Sequence, residues 1–302
     1  DRIEGLLHQL LSQQSSTDHT VLMAVLLRRE IVKLNSPAKL MDLVQPLLQI
    51  FQRTESSQVG DCLAEVCASL SIVQLDALPT VLTTLLTALE GPCREGKVPS
   101  LHLLAALAER APMAFSRLAL DSLPKLFSAT WSPGALQEWT KVLINAAIAT
   151  TVTKVSLAGA SAPSSLDDIV VNADSPATHL APSLLPVLQY LSVTTTEVYA
   201  LSILQELAQV AVTCPSFLAG NREVLSALIS TCLHVAERHS TTVQLASLEV
   251  LSSLISVGDV KRRLLTADQA RAIAGTALPI CARIMAGTSD KDDDDDWTEH
   301  PA

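Results

Sequence analysis

Five short segments of this 302-residue chain share a proline flanked by aliphatic residues, and their spacing constrains the fold more than any other feature. The five prolines are Pro46, Pro79, Pro124, Pro186 and Pro279. The first two intervals between them are 33 and 45 residues. The third is 62 residues, or 34 if residues 153–180 are an insertion, and the fourth is 93 residues, about twice the others. A recurrence of this kind predicts an array of similar units that stack on one another.

The apolar periodicity indicates that these units are helical. Val59, Leu63, Val66 and Leu70 follow the spacing of one helix face. Aromatic residues make up only 3% of the chain and there are only 10 glycines, which argues against a β-sandwich or barrel. A period of about 40 residues built from two helices is typical of HEAT repeats. We therefore predict an all-α superhelix, a HEAT-repeat solenoid of about six to seven helix pairs.

Composition divides the predicted array into four parts. They are N-terminal repeats over 1–152, a flexible inserted loop over 153–180, further repeats over 181–286, and an acidic loop or tail over 287–302. The inserted loop is rich in Ala and Ser and is expected to be cut first by proteases. At the start of the array Leu6, Leu7, Leu10 and Leu11 are expected to be uncovered, so that the chain tends to associate.

Local signals place several helix ends. Ser36-Pro37 and Ser132-Pro133 predict an N-cap side chain followed by proline at the first helical position. Thr194 with Glu197, and Thr266 with Gln269, predict capping boxes. We expect the repeated prolines in first helical turns, where a missing N–H costs no intrahelical hydrogen bond.

The sequence offers no catalytic residues, cofactor motif or metal site. It has no phosphate-binding loop, dinucleotide fingerprint or nucleophile elbow. His234 and His239 are five residues apart, which places them about 140° apart around a helix, away from the i, i+4 spacing of a zinc helix. Because these motifs are missing, the chain is not expected to be an enzyme. The six cysteines are scattered, which predicts reduced thiols and no disulfide framework.

Charge argues against nucleic acid and membrane as partners. The formal net charge is −10. Residues 290–302 carry seven acids and one base, so the rest of the chain has a net charge of only −4 and shows no basic footprint for nucleic acid. The longest uncharged stretch, 175–196, contains three prolines and is a poor membrane span.

Two charged segments are candidate partner-binding sites. Asp292, Asp293, Asp294, Asp295 and Asp296 are followed directly by Trp297, which would join a charge field to an aromatic anchor for a basic partner. The alternative is a solvated tail. Arg28 and Arg29 end an apolar helix, where they either complement the helix dipole or contact an acidic partner.

The order of several motifs resembles the importin-β (karyopherin-β) nuclear transport receptors, most closely the importin-five-like subgroup. Met23 to Arg29 looks like an early-repeat helix of that subgroup. The segments that follow in family-like order are 184–208, 214–218 and 245–251. Leu278-Pro279-Ile280, Met285, the acidic run and Trp297 look like the repeat that carries the family's acidic loop.

The resemblance implies a receptor fragment that works in the cytoplasm, the nucleus and the nuclear pore. It implies binding of basic cargo with nuclear localisation sequences, of Ran in its GTP form, and of Phe-Gly nucleoporins. By this resemblance, partner binding is expected at Asp292–Asp296 and Trp297, and also at Arg28 and Arg29. The alternative is another HEAT-repeat scaffold: a phosphatase scaffold, a coat adaptor or a tubulin-binding array.

Overall fold

The computed structural model describes residues 2–12, 17–34, 36–72, 77–89, 97–119, 123–126, 131–157, 179–238, 240–257 and 265–289, and all regular structure in these ranges is helical. The all-α prediction is therefore confirmed. The first nine helices are α1 (Arg2–Ser12), α2 (Thr17–Ile31), α3 (Pro37–Thr54), α4 (Ser57–Ile72), α5 (Leu78–Leu89), α6 (Val98–Arg110), α7 (Pro112–Ala119), α8 (Leu123–Leu126) and α9 (Pro133–Leu157). A short 3-10 helix (Ala181–Leu184) precedes α10 (Leu185–Val193), α11 (Glu197–Thr213), α12 (Pro215–Ala219), α13 (Arg222–Arg238), α14 (Thr241–Val257) and α15 (Ala267–Ser289).

The chain forms two compact units. The first comprises Asp1–Val187 and Ser216–Asn221, and the second comprises Leu188–Pro215 and Arg222–Ala302. In the first unit α1, α3, α5 and α7 pack on α2, α4, α6 and α9, respectively. The latter four helices also pack on one another in chain order, and we call them the helix row. Such stacking of helix pairs in series is the arrangement expected of helical repeats.

The apolar faces that the sequence pattern predicts form the core of this unit. Leu27, Leu63, Leu104 and Leu143 are each 0% exposed, one on each helix of the row. In the second unit α14 packs on α11, α13 and α15, and α13 also packs on α15. Leu204, Leu228, Val250 and Ile273 are buried there.

The repeated prolines do not all occupy first turns. Pro79, Pro124 and Pro186 are the second residues of α5, α8 and α10, as expected. Pro46 and Pro279 lie inside α3 and α15, so the prediction is wrong for these two. Each interior proline removes one backbone hydrogen bond, a cost that tertiary packing can offset. In α3 that packing is extensive, from Leu40 to Phe51.

Two of the four predicted helix caps are confirmed and two are not. Ser132 Oγ accepts a hydrogen bond from the Ala135 N–H at 3.3 Å, and Thr266 and Gln269 cap each other at 2.9 and 3.2 Å. Ser36 is the N-cap residue of α3 but forms no side-chain cap hydrogen bond. The predicted box at Thr194 is wrong because α11 begins at Glu197, with Thr196 as its N-cap residue.

The start of the array is covered, contrary to expectation. Leu6, Leu7 and Leu10 are 8%, 8% and 2% exposed because α1 packs against α2 and α3. The side chain of Leu11 lies outside the described residues. Helix α9 continues to Leu157, into the segment predicted as a loop, and residues 158–178 lie outside the described part of the chain, as does the segment after Ser289.

Gly60 of α4 lies in a close contact with α3 and α6. A Cβ at this position would lie 3.2 Å from Phe51 Cε2 and 3.4 Å from Leu103 Cβ. We expect Gly60→Val to lower the free energy of unfolding by about 1–3 kcal/mol, because the side chain overfills the junction of α3, α4 and α6. Chemical denaturation measures this. The matched change Gly5→Val has open space around it and should alter the free energy by less than about 0.5 kcal/mol. Equal effects at both glycines would contradict the packing argument.

Candidate functional site

Charged side chains gather along the helix row of the first unit. We call the following seven residues the ionic row: Arg28 of α2, Asp61 and Glu65 of α4, His102 and Arg110 of α6, and Glu138 and Lys141 of α9. Asp61 and Glu65 are four residues apart, and Glu138 and Lys141 are three apart, so each pair shares one face of its helix. The ionic row therefore joins four helices that are distant in sequence.

Two arginines from different helices share the two carboxylates of α4. Arg110 Nη2 lies 3.4 Å from Asp61 Oδ1, and its Nη1 lies 3.5 Å from Glu65 Oε2. Arg28 reaches the same two carboxylates from the opposite neighbour, at 3.8 Å in each case. The Arg28 side chain is 41% exposed and that of Arg110 is 22% exposed. The α4–α6 junction is thus the tighter of the two.

His102 bridges α4 and α9. Its Nε2 lies 3.4 Å from Asp61 Oδ1 and its Nδ1 lies 3.3 Å from Glu138 Oε2. The hydrogen bond to Asp61, followed by that to Glu138, raises the pKa of His102 to about 9 and outweighs the opposing effect of burial. His102 is therefore an imidazolium at neutral pH and donates from both ring nitrogens.

Asp61 and Glu138 of the ionic row remain ionised although they are partly buried. Burial raises the pKa of Asp61, but the hydrogen bond from His102 and the charges of His102, Arg110 and Arg28 leave it below its ordinary value. Burial likewise raises the pKa of Glu138, and His102 together with Lys141, whose Nζ lies 2.8 Å from Glu138 Oε1, lowers it overall. Acids and bases thus compensate one another along the row.

Each junction of the row also has a side-chain donor to a backbone carbonyl of the neighbouring helix. Cys62 Sγ donates to Ala24 O at 3.1 Å, Arg110 Nη1 to Asp61 O at 3.0 Å, and Asn145 Nδ2 to Ala105 O at 3.1 Å. Burial raises the pKa of the Cys62 thiol to about 12, so it stays protonated as a donor. These contacts fix the relative positions of successive helices.

The structure separates the two arginines that the sequence singled out. Arg28 contacts acids of its own chain, in the last turn of α2. Arg29 is exposed and lies between exposed apolar side chains: Leu22 (54%), Val25 (55%) and Val32 (64%). We call Leu22, Val25, Arg29 and Val32 the α2 stripe, because the spacing of the first three places them on one side of α2 and Val32 follows in the turn at its end. Asp292–Asp296 and Trp297 lie outside the described residues.

Sequence reasoning missed six members of the ionic row. Charged residues at i, i+4 inside an apolar helix, such as Asp61 and Glu65, were the available signal. Their partners lie 33 to 49 residues away, on other helices. Within the described ranges, no group of three or more His, Cys, Asp or Glu residues could hold a metal ion. No helix described here is both long and apolar enough to span a bilayer.

The raised pKa of His102 predicts a pH dependence of stability. The folded chain holds a proton up to a pKa of about 9, and the unfolded chain releases it near the ordinary value of 6.5. The contribution of His102 is therefore full below about pH 6.5 and is lost as the pH rises through about 9. We expect the difference in unfolding free energy between the wild type and His102→Gln to shrink steadily between these values in denaturation series. A constant difference would contradict the bridging role.

The two arginines should differ in their effect on stability. Arg110→Gln removes a hydrogen bond to a carbonyl and the tighter contacts with both carboxylates, so we expect a loss of about 1–3 kcal/mol in unfolding free energy. Arg28→Gln removes looser and more exposed contacts and should cost less than about 1 kcal/mol. Denaturation of both variants at one pH measures the difference, and the reverse order would contradict the geometry.

Comparison with known proteins leaves the function to be argued from the residues themselves. No protein-family model, no curated protein and no solved structure matches this chain. The likeness of its motifs to the importin-β family is accordingly a hypothesis, which the ionic row, the α2 stripe and the acidic run make testable.

Proposed function

We propose that this chain is a protein-binding array of the nuclear import receptor type. It would bind Ran-GTP, basic cargo with nuclear localisation sequences, and Phe-Gly nucleoporins, in the cytoplasm, the nucleus and the nuclear pore. The observation that carries the proposal is the order of its motifs, which runs from Met23–Arg29 to Asp292–Asp296 and Trp297. The helix pairs stacked in series agree with it, because such arrays serve mainly as extended binding surfaces.

The α2 stripe supports a protein as the partner. Leu22, Val25 and Val32 are each more than half exposed, and Arg29 lies among them. Apolar side chains around an arginine are the composition that protein interfaces favour at their energetic centres. The ionic row would hold α2 at a fixed position on its neighbours, since Arg28 contacts α4. A rigid surface binds with a smaller loss of conformational entropy.

The acidic run supplies the second element of the proposal. Five adjacent carboxylates produce a field that attracts a basic surface within a Debye length, about 8 Å at physiological salt. Trp297 adds an aromatic ring that can contact a Lys or Arg of the partner, which contributes about 0.5–2 kcal/mol. The two elements suit a basic cargo or the basic face of a small GTPase.

Binding of Ran tests the proposal directly. We expect the full chain to capture Ran loaded with a non-hydrolysable GTP analogue and not Ran loaded with GDP. Val25→Glu and Arg29→Glu in the α2 stripe should weaken the capture at least about tenfold, because each places an acid at an apolar or basic contact. Val198→Glu, a similar change at an exposed valine of α11, is the matched control and should not. If neither nucleotide form of Ran binds, the proposal is wrong and the other HEAT-type scaffolds become the better hypothesis.

The charge and the aromatic ring of the acidic run should affect different rate constants. Changing Asp292–Asp296 to Asn should slow association with a Lys-rich cargo at least about tenfold and flatten its salt dependence, because charge steers encounter. Trp297→Ala should mainly raise the dissociation rate, because aromatic anchors hold the bound state. Surface plasmon resonance separates the two.

A variant of equal charge change controls for the field of the whole chain. Glu109, Glu197, Glu223, Glu237 and Glu249 are exposed acids on other helices, and their change to Gln alters the net charge by the same amount. This variant should associate at nearly the wild-type rate. If it slows as much as the Asp292–Asp296 variant, the effect is one of net charge and the acidic run is only a solvated segment.

A further inference from the structure

Helix α15 packs on α13 and α14 of the second unit through few side chains. Of its residues from Ala267 to Ala286, Ile273 and Ile280 are the two that are fully buried, at 1% and 2% exposure. Gln269 Nε2 also donates a hydrogen bond to Ser226 Oγ of α13 at 3.2 Å, on the exposed surface. By contrast, α13 buries eight side chains within its 17 residues. The longer helix is therefore the more weakly attached one.

The backbone of α15 is also unfavourable for a helix at two interior positions. Pro279 has no N–H to donate to the carbonyl of Gly275, and Gly275 loses more conformational entropy in a helix than other residues do. Helix α3 also has an interior proline, Pro46, but it buries seven side chains. Helix α15 has its two isoleucines instead, so packing offsets less of the cost.

The attached side of α15 is one narrow helix face. Ile273 and Ile280 are seven residues apart, about two turns, and the partly buried Thr276 and Ala277 lie between them on the same side. Ile284, also partly buried, continues this face by one turn. Aliphatic anchors at such spacing are typical of an amphipathic helix that lies in a groove of its receptor. Within the second unit, α15 thus contacts α13 and α14 in the way that a bound helical peptide contacts a groove.

We propose that α15 is a displaceable helix, which undocks from α13 and α14 while those two helices stay folded. Undocking uncovers the face on which Ile273 and Ile280 pack. The free segment then loses most of its helical structure, because tertiary packing supplies most of the stability of a helix in a protein. The uncovered face binds a helix that presents two isoleucine-sized side chains seven residues apart, and α15 occupies this face in the closed state. The helix thereby controls access to an apolar surface of the second unit.

Hydrogen exchange of the full chain, followed by mass spectrometry, measures the opening. We expect the amides of α15 to exchange at least about 100-fold faster than the slowest amides of α13 and α14. Equal rates in the three helices would overturn the proposal, because α15 would then open only when the whole unit unfolds. Exchange of α15 at the rate of an unstructured chain would also overturn it, because the helix would then have no docked state.

Variants with a higher helical propensity test the cause of the opening. Gly275→Ala should slow exchange in α15 about fivefold, because the added Cβ has open space around it and alanine favours a helix. Pro279→Ala restores a backbone donor at an exposed position and should slow exchange at least about tenfold. Gly5→Ala in α1, which also has open space, is the matched control and should leave the exchange of α15 unchanged. Unchanged exchange in both α15 variants would overturn the proposal.

A peptide of residues 265–289 tests the uncovered face directly. The probe is labelled with fluorescein and carries Cys281→Ser, and its binding to the full chain is measured by fluorescence anisotropy. In the wild type it competes with an α15 that is tethered to the same face at high effective concentration. In the variant with Ile273→Glu and Ile280→Glu the tethered helix cannot occupy the face, so we expect the peptide to bind at least about tenfold more tightly. The same two changes in the peptide should abolish this binding.

A second double variant controls for the added charge. Leu278→Glu with Met285→Glu places two carboxylates at the same spacing on the exposed side of α15, where these residues are 69% and 72% exposed, and should bind the peptide as the wild type does. Circular dichroism establishes that each variant folds. If the isoleucine variant does not fold, the exchange of the Gly275→Ala and Pro279→Ala variants decides the proposal. Equal binding of the peptide by a folded isoleucine variant and the wild type would overturn it.

Discussion

The first unit depends on one constraint: each helix of the row must pack on its pair partner and on the next helix of the row at the same time. Gly60 shows how little space this leaves, because a Cβ there would lie 3.2 Å from a ring atom of Phe51. Apolar side chains such as Phe51 and Leu103 fill this junction without polar atoms that need partners. The ionic row lies where successive helices of this packing meet.

The ionic row is the consequence at the edge of the core. Charged residues lie at the partly exposed edge of each helix–helix junction and form ion pairs with residues of the next helix. Asp61 illustrates the result, since it meets bases from α2 and α6 at once. Acids and bases alternate closely enough that the row carries little net charge, so it acts mainly as a fixed connection between helices and leaves recognition to other surfaces.

The α2 stripe is one of those other surfaces. It mixes exposed aliphatic side chains with Arg29 and suits a partner that offers an acid and an apolar patch. Its residues can be changed without altering the ionic row, because none of them belongs to it.

The sequence by itself determined the helical class, the period of about 40 residues and the capping box at Thr266, because these depend on residues close together in the chain. It also pointed to Arg28, but not to the partners of this residue. Only the tertiary structure decided that Leu6, Leu7 and Leu10 are buried, that Pro46 and Pro279 lie inside helices, and that His102 bridges Asp61 and Glu138. Such features are set by contacts between different helices, where packing energy overrides local preference and where periodicity indicates which residues share a face but not which face they meet.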